Sequence, residues 1–209
     1  MVAIIDYEAG NLTSVALAVK HLGFAGQVTS DPAVIDAAER VIFPGQGAAG
    51  SAMSNLHRLQ LEAPLRRALA DGRPVLGICI AHQLIFEHSE EDGGTACLGI
   101  LGGRVVKFQF PPERRVKIPQ MGWNGVELAA QHPIFEGFQS GWECYFVHSY
   151  YPVPSGDVRV LATTDYEGLS FPSIVGRDNL VAMQFHPEKS GRAGLTLLRN
   201  FLEWDGRPC

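Results

Sequence analysis

The sequence predicts an α/β fold: a sheet that is parallel in its first half and mixed or antiparallel in its second, with helices on both faces. Three observations carry this reading. Short apolar runs of strand length alternate with stretches of helical periodicity through the first half of the chain. That rhythm implies right-handed crossovers and parallel strands covered on both sides. Beyond Gly103 the pattern changes to closely spaced strand-like segments, most of them separated by Pro, Gly, Asp and Asn.

The elements follow in order. Val2–Tyr7 is a short apolar strand. From Asn11 to Leu22 the positions Leu12, Val15, Ala16, Val19 and Leu22 recur at helical spacing, and Gly23 supplies the stop. Asp31-Pro32 reads as an N-cap with Pro at the first helical position. Arg40–Phe43 is a second strand and ends at Pro44-Gly45-Gln46-Gly47. Leu59–Asp71 is a helix closed by Gly72, Pro74–Ile78 a third strand, and Ile80–His88 the helix after it. Glu90–Gly103, rich in Gly and acids, reads as a surface loop. Strands are expected around Arg104–Phe108, Val126–Leu128, Trp142–Tyr151, Val158–Thr163, Ser173–Val175 and Leu180–Phe185, with a last helix over Arg192–Trp204. No repeat, low-complexity stretch or linker interrupts residues 1–209, so one domain is expected.

Bulk composition narrows the function. A chain of 209 residues can bury roughly 70% of its unfolded surface and needs no disulfide or metal to fold. It is 46% hydrophobic and 19% charged, with a net charge of −5 and no run of five like charges. Nucleic acid and anionic membrane are therefore not expected as partners. The first residues carry no basic region and meet Asp6, so they read as a strand and not as a signal peptide. No apolar run approaches the ~18 residues of a membrane span. Cys79, Cys97, Cys144 and Cys209 lie far apart, without a CxxC pair or zinc spacing. A cytoplasmic chain with reduced thiols and no metal or cofactor is expected. Cys97, Cys144 and Cys209 read as plain small hydrophobes.

In open parallel sheets, ligands sit beyond the carboxyl ends of the strands. Gly45–Gly47 and Cys79 each follow directly after an expected strand and so belong at that edge. In Gly77-Ile78-Cys79-Ile80-Ala81, a polarizable nucleophile stands between a strand and a helix, with small residues two positions to either side. That is the logic of a nucleophile elbow, with Cys for Ser and Ala for the second Gly. The following helix N-terminus favours a thiolate, and the Ile80 amide is placed as an oxyanion donor. Alone, the pattern fits a buried structural cysteine equally well.

A second pattern bears on this. In Gln184-Phe185-His186-Pro187-Glu188, His186 precedes Pro and is pushed toward extended backbone. Residues i and i+2 of an extended segment share a side, which would bring Glu188 beside His186. A carboxylate on one imidazole nitrogen fixes the tautomer and supports the charge when the other nitrogen takes a proton. Cys79 with such a histidine meets the description of an activated nucleophile.

Taken together, Pro44-Gly45-Gln46-Gly47, Gly77-Ile78-Cys79 with Gln83, and Gln184-Phe185-His186-Pro187-Glu188 resemble the three signatures of class I glutamine amidotransferases. The resemblance covers the whole chain and implies that family's flavodoxin-like sheet. Asp6-Tyr7-Glu8-Ala9-Gly10-Asn11-Leu12-Thr13-Ser14, Pro119-Gln120-Met121-Gly122-Trp123-Asn124 and Phe146-Val147-His148-Ser149-Tyr150 are most similar to the branch formed by the glutaminase subunits of imidazole glycerol phosphate synthase. The resemblance implies hydrolysis of L-glutamine, with ammonia passed to a (β/α)8 cyclase partner in a heterodimer of histidine biosynthesis. It gives Cys79 the γ-glutamyl thioester, His186 the proton transfers and Glu188 the orientation of His186. Amides of Gly45, Gln46 and Gly47, with Ile80, would form the oxyanion hole. Gln83, Ser149 and Tyr150 would hold glutamine, and Asn11, Ser14, Met121, Trp123 and Asn124 would face the partner; Trp123 also fits an ordinary core role.

Two departures stand out. The elbow usually reads Cys-Leu-Gly-Met-Gln and here reads Cys79-Ile80-Ala81-His82-Gln83; His82 is expected to be a hydrogen-bonded helix residue. Gln46 stands where an aliphatic residue is common. Two rivals remain open: a glutaminase serving anthranilate or aminodeoxychorismate synthesis, and a catalytically idle regulatory subunit.

Overall fold

Residues 1–10 and 12–207 are described by the computed structural model. Asn11 and Cys209, assigned above to the partner face and to a plain role, lie outside the described residues. The first half runs β1 (Val2–Ile5), α1 (Thr13–His21), β2 (Gly26–Thr29), α2 (Pro32–Ala37), β3 (Arg40–Phe43), α3 (Ala49–Arg58), α4 (Glu62–Ala70), β4 (Val75–Ile78) and α5 (Ile80–Leu84). The second contributes β5 (His88–Ser89), β6 (Thr95–Ala96), β7 (Gly103–Lys107), β8 (Gln120–Gly125), β9 (Glu127–Leu128), β10 (Glu143–His148), β11 (Tyr150–Pro154), β12 (Arg159–Tyr166), β13 (Leu169–Arg177), β14 (Leu180–Met183) and α6 (Gly191–Glu203).

The main sheet has the order β2-β1-β3-β4-β14-β13-β12-β9. The five strands from β2 to β14 are parallel, and β13, β12 and β9 are antiparallel. This matches the expected change of character along the chain, and β2-β1-β3-β4 is the flavodoxin-like order. Alternation with period 2 sends Val2, Ile4, Ile42, Leu76 and Ile78 to one face, with residues of α1 and α6. Ala3, Ile5, Val41, Phe43 and Val75 go to the other, with residues of α2 to α5. Two smaller sheets, β10-β8 and β11-β7-β5-β6, flank the main one.

Asp31 caps α2 as its pattern suggests, its carboxylate accepting from the Ala33 amide at 2.8 Å. Several boundaries differ from expectation. The helix expected over Ile80–His88 ends at Leu84, and His88–Ser89 pairs instead with β6 and β7. Here the apolar run is buried on every side, so its periodicity carried no stop signal. The helix expected from Leu59 begins at Glu62, because Gln60 turns the chain at φ 56° between α3 and α4. The strand expected over Trp142–Tyr151 is two strands, broken at Ser149, which serve different sheets. Three elements carried no expectation: β2, α3 and β8. β2 is a polar edge strand, α3 is rich in Gly, Ser and Asn, and β8 contains two glycines.

The junction of β4 and α5 is tightly packed. A Cβ on Gly77 would lie 3.0 Å from the Ala182 Cβ on β14 and 3.6 Å from the Ala81 carbonyl carbon. Gly77→Val is therefore expected to destabilise the chain by about 1–3 kcal/mol through overpacking. Urea unfolding of the variant checks this, and an unchanged midpoint would contradict the packing described.

Candidate active site

Four adjacent parallel strands deliver their carboxyl ends to one place. β1 leads into Asp6–Gly10, β3 into Pro44–Gly47, β4 into Cys79, and β14 into Gln184–Glu188. Cys79 occupies φ 58°, ψ −107°, a region an L residue enters only under constraint. Pairing of β4 with β14 supplies the constraint: Ile78 is in register with Met183, and the Cys79 amide donates to the Met183 carbonyl at 2.9 Å. The result is a sharp strand-to-helix elbow that sets the sulfur at the start of α5.

His186 arrives from the neighbouring strand. Its backbone is extended, as a residue before Pro requires. Pro187–Lys189, however, forms a 3₁₀ turn, so Glu188 reaches His186 across a turn and not along an extended segment. The contact itself is close: His186 Nδ1 and Glu188 Oε1 are 2.8 Å apart, with both side chains at most 5% exposed. Ser190 locks the turn, its hydroxyl donating to the His186 carbonyl at 2.6 Å and accepting from the Tyr145 amide at 2.9 Å.

Burial pushes the His186 pKa down, but hydrogen bonding and charge at Cys79 and then Glu188 outweigh it and lift the pKa to about 10. His186 Nε2 has no well-formed hydrogen bond among the described residues. The pairing of a cationic imidazole with a thiolate is the arrangement that activates a cysteine.

A cavity of about 450 Å³ opens over Cys79, with Gln46, Gly47, Ile80, Gln83, Glu91, His148, Ser149 and Tyr150 in its wall. It brings together most residues expected at the site. Gln83 is buried, and its amide donates to the Tyr150 carbonyl and to Gln184 Oε1, both at 3.0 Å. It therefore fixes the strand bearing Tyr150 as well as lining the cavity. The Gln46 amide, expected in the oxyanion hole, donates instead to the Ala9 carbonyl at 3.1 Å. His186 and Glu188 border a separate crevice beneath Gly45 and Gln46.

The residues expected at a partner face divide. Met121 and Trp123 are 65% and 54% exposed, which excludes a core role for Trp123. Ser14 is half-buried. Asn124 is occupied within the chain, donating to the Asp165 carbonyl at 2.7 Å.

Residues 3–204 match the family model described as glutamine amidotransferase class-I. The chain belongs to the class-I glutamine amidotransferase family. A relative from Aromatoleum aromaticum, imidazole glycerol phosphate synthase subunit HisH, is 49% identical, with 97% of this chain and 98% of that protein covered. Its counterpart of the same name from Methylococcus capsulatus is 48% identical, covering 98% and 96%. A solved glutamine amidotransferase superposes with a TM-score of 0.76 at 20% identity, over 99% of this chain and all of that one, and so bears on the fold.

One feature of this amidotransferase, the inward aim of the loop bearing Glu91, carried no expectation from the sequence. Glu91 projects into the cavity wall, and burial together with Asp92 raises its pKa against the opposing Ala49 amide. Its carboxylate accepts from Ala49 at 2.8 Å, and Asp92 accepts from Gly50 at 3.1 Å, so this loop caps α3. Nothing in the acidic run Glu90–Asp92 pointed inward, because the turn that aims it depends on Asp92 at φ 57°. Among the described residues, no group of three His, Cys, Asp or Glu side chains could hold a metal ion.

His82 is fully buried beneath the elbow and lies 3.3 Å from Gln184 Oε1 through Nδ1. Burial pushes its pKa down to about 3, and that of His148 to about 4. Unfolded, each takes a proton near pH 6.5. The unfolded chain thus binds more protons below that pH, and stability falls as pH drops toward the folded values, by up to about 1.4 kcal/mol per pH unit per histidine. His82→Met is expected to reduce the slope of unfolding free energy between about pH 6 and pH 4.5 by roughly one proton. Urea titrations across that range measure it; an identical slope in the variant would show that His82 is not held neutral.

Proposed function

We propose that this chain is the glutaminase subunit of imidazole glycerol phosphate synthase, with residues 1–209 as one glutaminase domain and a (β/α)8 cyclase as its heterodimer partner. The observation that carries the chemistry is Cys79 on a strained elbow beside a histidine held at 2.8 Å by a buried carboxylate. The relatives' shared name supports the pathway. Exposed Met121 and Trp123, on the ribbon leading from the cavity, support a docking face there.

In this reaction the Cys79 thiolate attacks the side-chain carboxamide carbon of glutamine, and the carbonyl oxygen becomes an oxyanion. Protonated His186 gives its proton to the nitrogen as the C–N bond breaks, releasing ammonia and leaving a γ-glutamyl thioester. His186 then takes a proton from water, whose oxygen attacks the thioester carbon. Collapse expels the Cys79 thiolate, restores the ion pair and frees glutamate. Glu188 holds the ring and stabilises its charge throughout. Glu91 is suited to the substrate's α-ammonium group, with Ser149 and Tyr150 lining the same cavity. The cytoplasm fits this reading, with Cys79, Cys97 and Cys144 all free thiols.

The oxyanion needs a second donor beside the Ile80 amide, yet the Gln46 amide is committed to Ala9. The isolated chain is therefore a slow glutaminase, and activation must release that amide. One missing oxyanion donor costs about 10²–10³-fold in rate. Adding the cyclase subunit with its phosphorylated ribosyl substrate is expected to raise glutamate release by about that factor, and Cys79→Ala to abolish it in both states. Equal rates with and without the partner would refute the resting-state assignment, and stimulation by a chorismate-using partner instead would refute the pathway.

Glu91→Gln separates binding from chemistry. The KM for glutamine should rise about tenfold or more, the value of one charge-assisted contact, with kcat changed far less. Steady-state glutaminase kinetics of the complex decide it: a loss confined to kcat would remove Glu91 from the binding site.

A further inference from the structure

Tyr7 lies just beyond β1, and its hydroxyl is buried without a hydrogen-bond partner among the described residues. Buried tyrosine hydroxyls ordinarily find a partner, so one that does not requires an explanation. Its position suggests one. A Cβ on Gly45 would overlap the Tyr7 hydroxyl and would stand 2.8 Å from Ile80 Cγ2. The hydroxyl is thus pressed against the Gly45 backbone, between the two stretches assigned to the oxyanion hole. The Phe43 ring, 5.3 Å away between centroids, helps keep the phenol there. Burial and then the charge of Cys79 raise the Tyr7 pKa, so it stays a protonated donor within electrostatic reach of the sulfur.

The Gly45–Gln46 peptide is the unit that must move. Its N–H points to the Ala9 carbonyl. In a trans peptide the Gly45 carbonyl then points the opposite way. Turning the unit over frees the N–H for the oxyanion and swings the carbonyl toward the Tyr7–Gly10 segment. There it would meet the Ala9 carbonyl, acceptor against acceptor, and a buried carbonyl needs a donor.

We propose that Tyr7 is a positioning residue for the oxyanion hole: its hydroxyl, idle at rest, donates to the Gly45 carbonyl once this peptide turns over. The exchange replaces the Gln46–Ala9 hydrogen bond with one from Tyr7. This rests on the glutaminase reading above. The side chain touches neither substrate nor sulfur in its role; it stabilises the active arrangement of the strand.

Tyr7→Phe tests it. In the complex with the cyclase subunit and its phosphorylated ribosyl substrate, kcat for glutamine should fall about tenfold, the worth of one net hydrogen bond. The KM for glutamine should stay within about twofold, since the binding residues are untouched. The thermal midpoint should be no lower, because no bond is lost at rest, and alkylation of Cys79 by iodoacetamide should proceed at the wild-type rate. An undiminished kcat would overturn the proposal. So would losses shared by kcat, alkylation and thermal midpoint, or a variant that does not fold, since each would mean that the hydroxyl is already bonded at rest. A wild-type complex that releases no glutamate would instead overturn the glutaminase reading itself.

Discussion

The pairing of β4 with β14 is the constraint on which the rest of the site depends. Residues more than 100 positions apart are locked in parallel register, Val75 with Leu180 through Ile78 with Met183. Because the strands end together, Cys79 and His186 emerge side by side. The Cys79 amide is tied to the carbonyl of Met183, which offsets part of the strain of a cysteine at positive φ. No local interaction could bring these two side chains so close, and a shift of one residue would send both to the wrong face.

Beneath that pairing lies a polar layer inside an otherwise apolar core. Gln184 follows β14 and takes hydrogen bonds from Gln83 and His82 on α5. Gln83 in turn holds the Tyr150 carbonyl, which His148 Nδ1 also contacts at 2.8 Å. The network thus joins the floor of the cavity to the wall formed by β10 and β11. Its histidines are kept neutral by burial, which leaves His186 as the cationic ring at the site. Two uncharged rings add no repulsion to that imidazolium where it faces Cys79. A low-dielectric setting strengthens its coupling to the thiolate and makes the network costly to disturb.

How far the sequence foretold this depends on the range of the interactions. The parallel half was legible because strand burial on both faces writes continuous apolar runs such as Val41–Phe43 and Val75–Ile78. Cys79, His186 and the Gly45–Gly47 turn were legible because each sits where an element ends, and small residues and Pro mark such ends. What failed were features fixed by tertiary contact. α5 stops at Leu84 because the next residues are drawn into another sheet, and no glycine or proline announces it. Glu91 faces inward because two backbone amides of α3 hold its loop, an arrangement spread over more than 40 residues. Even the correct pairing of His186 with Glu188 was reasoned from an extended segment, when a 3₁₀ turn achieves it.

The parts of the proposed site differ in how firmly they are held. Cys79, His186 and Glu188 are fixed by a paired strand, a locked turn and nearly complete burial. Among the described residues the Gly45–Gly47 stretch is held more lightly, by the hydrogen bond from Gln46 to Ala9, by the Gln46 side chain laid across Gly10, where any Cβ would collide with it, and by packing of Tyr7 and Ile80 against Gly45. A hydrogen bond of this kind is worth about 1 kcal/mol net, so modest contacts elsewhere can outbid it. The rigid members would be expensive to rearrange, whereas this strand can change state at small cost. From upstream it is met by Tyr7, Ala9 and Gly10, in the segment that leads into α1 and the partner-facing residues expected there. Downstream it enters α3, whose first amides are capped by the loop bearing Glu91. The least secured element of the site therefore lies between the substrate wall and the expected docking face. That position allows occupancy on either side to bias the same peptide, which is what coupling ammonia release to a partner's need requires.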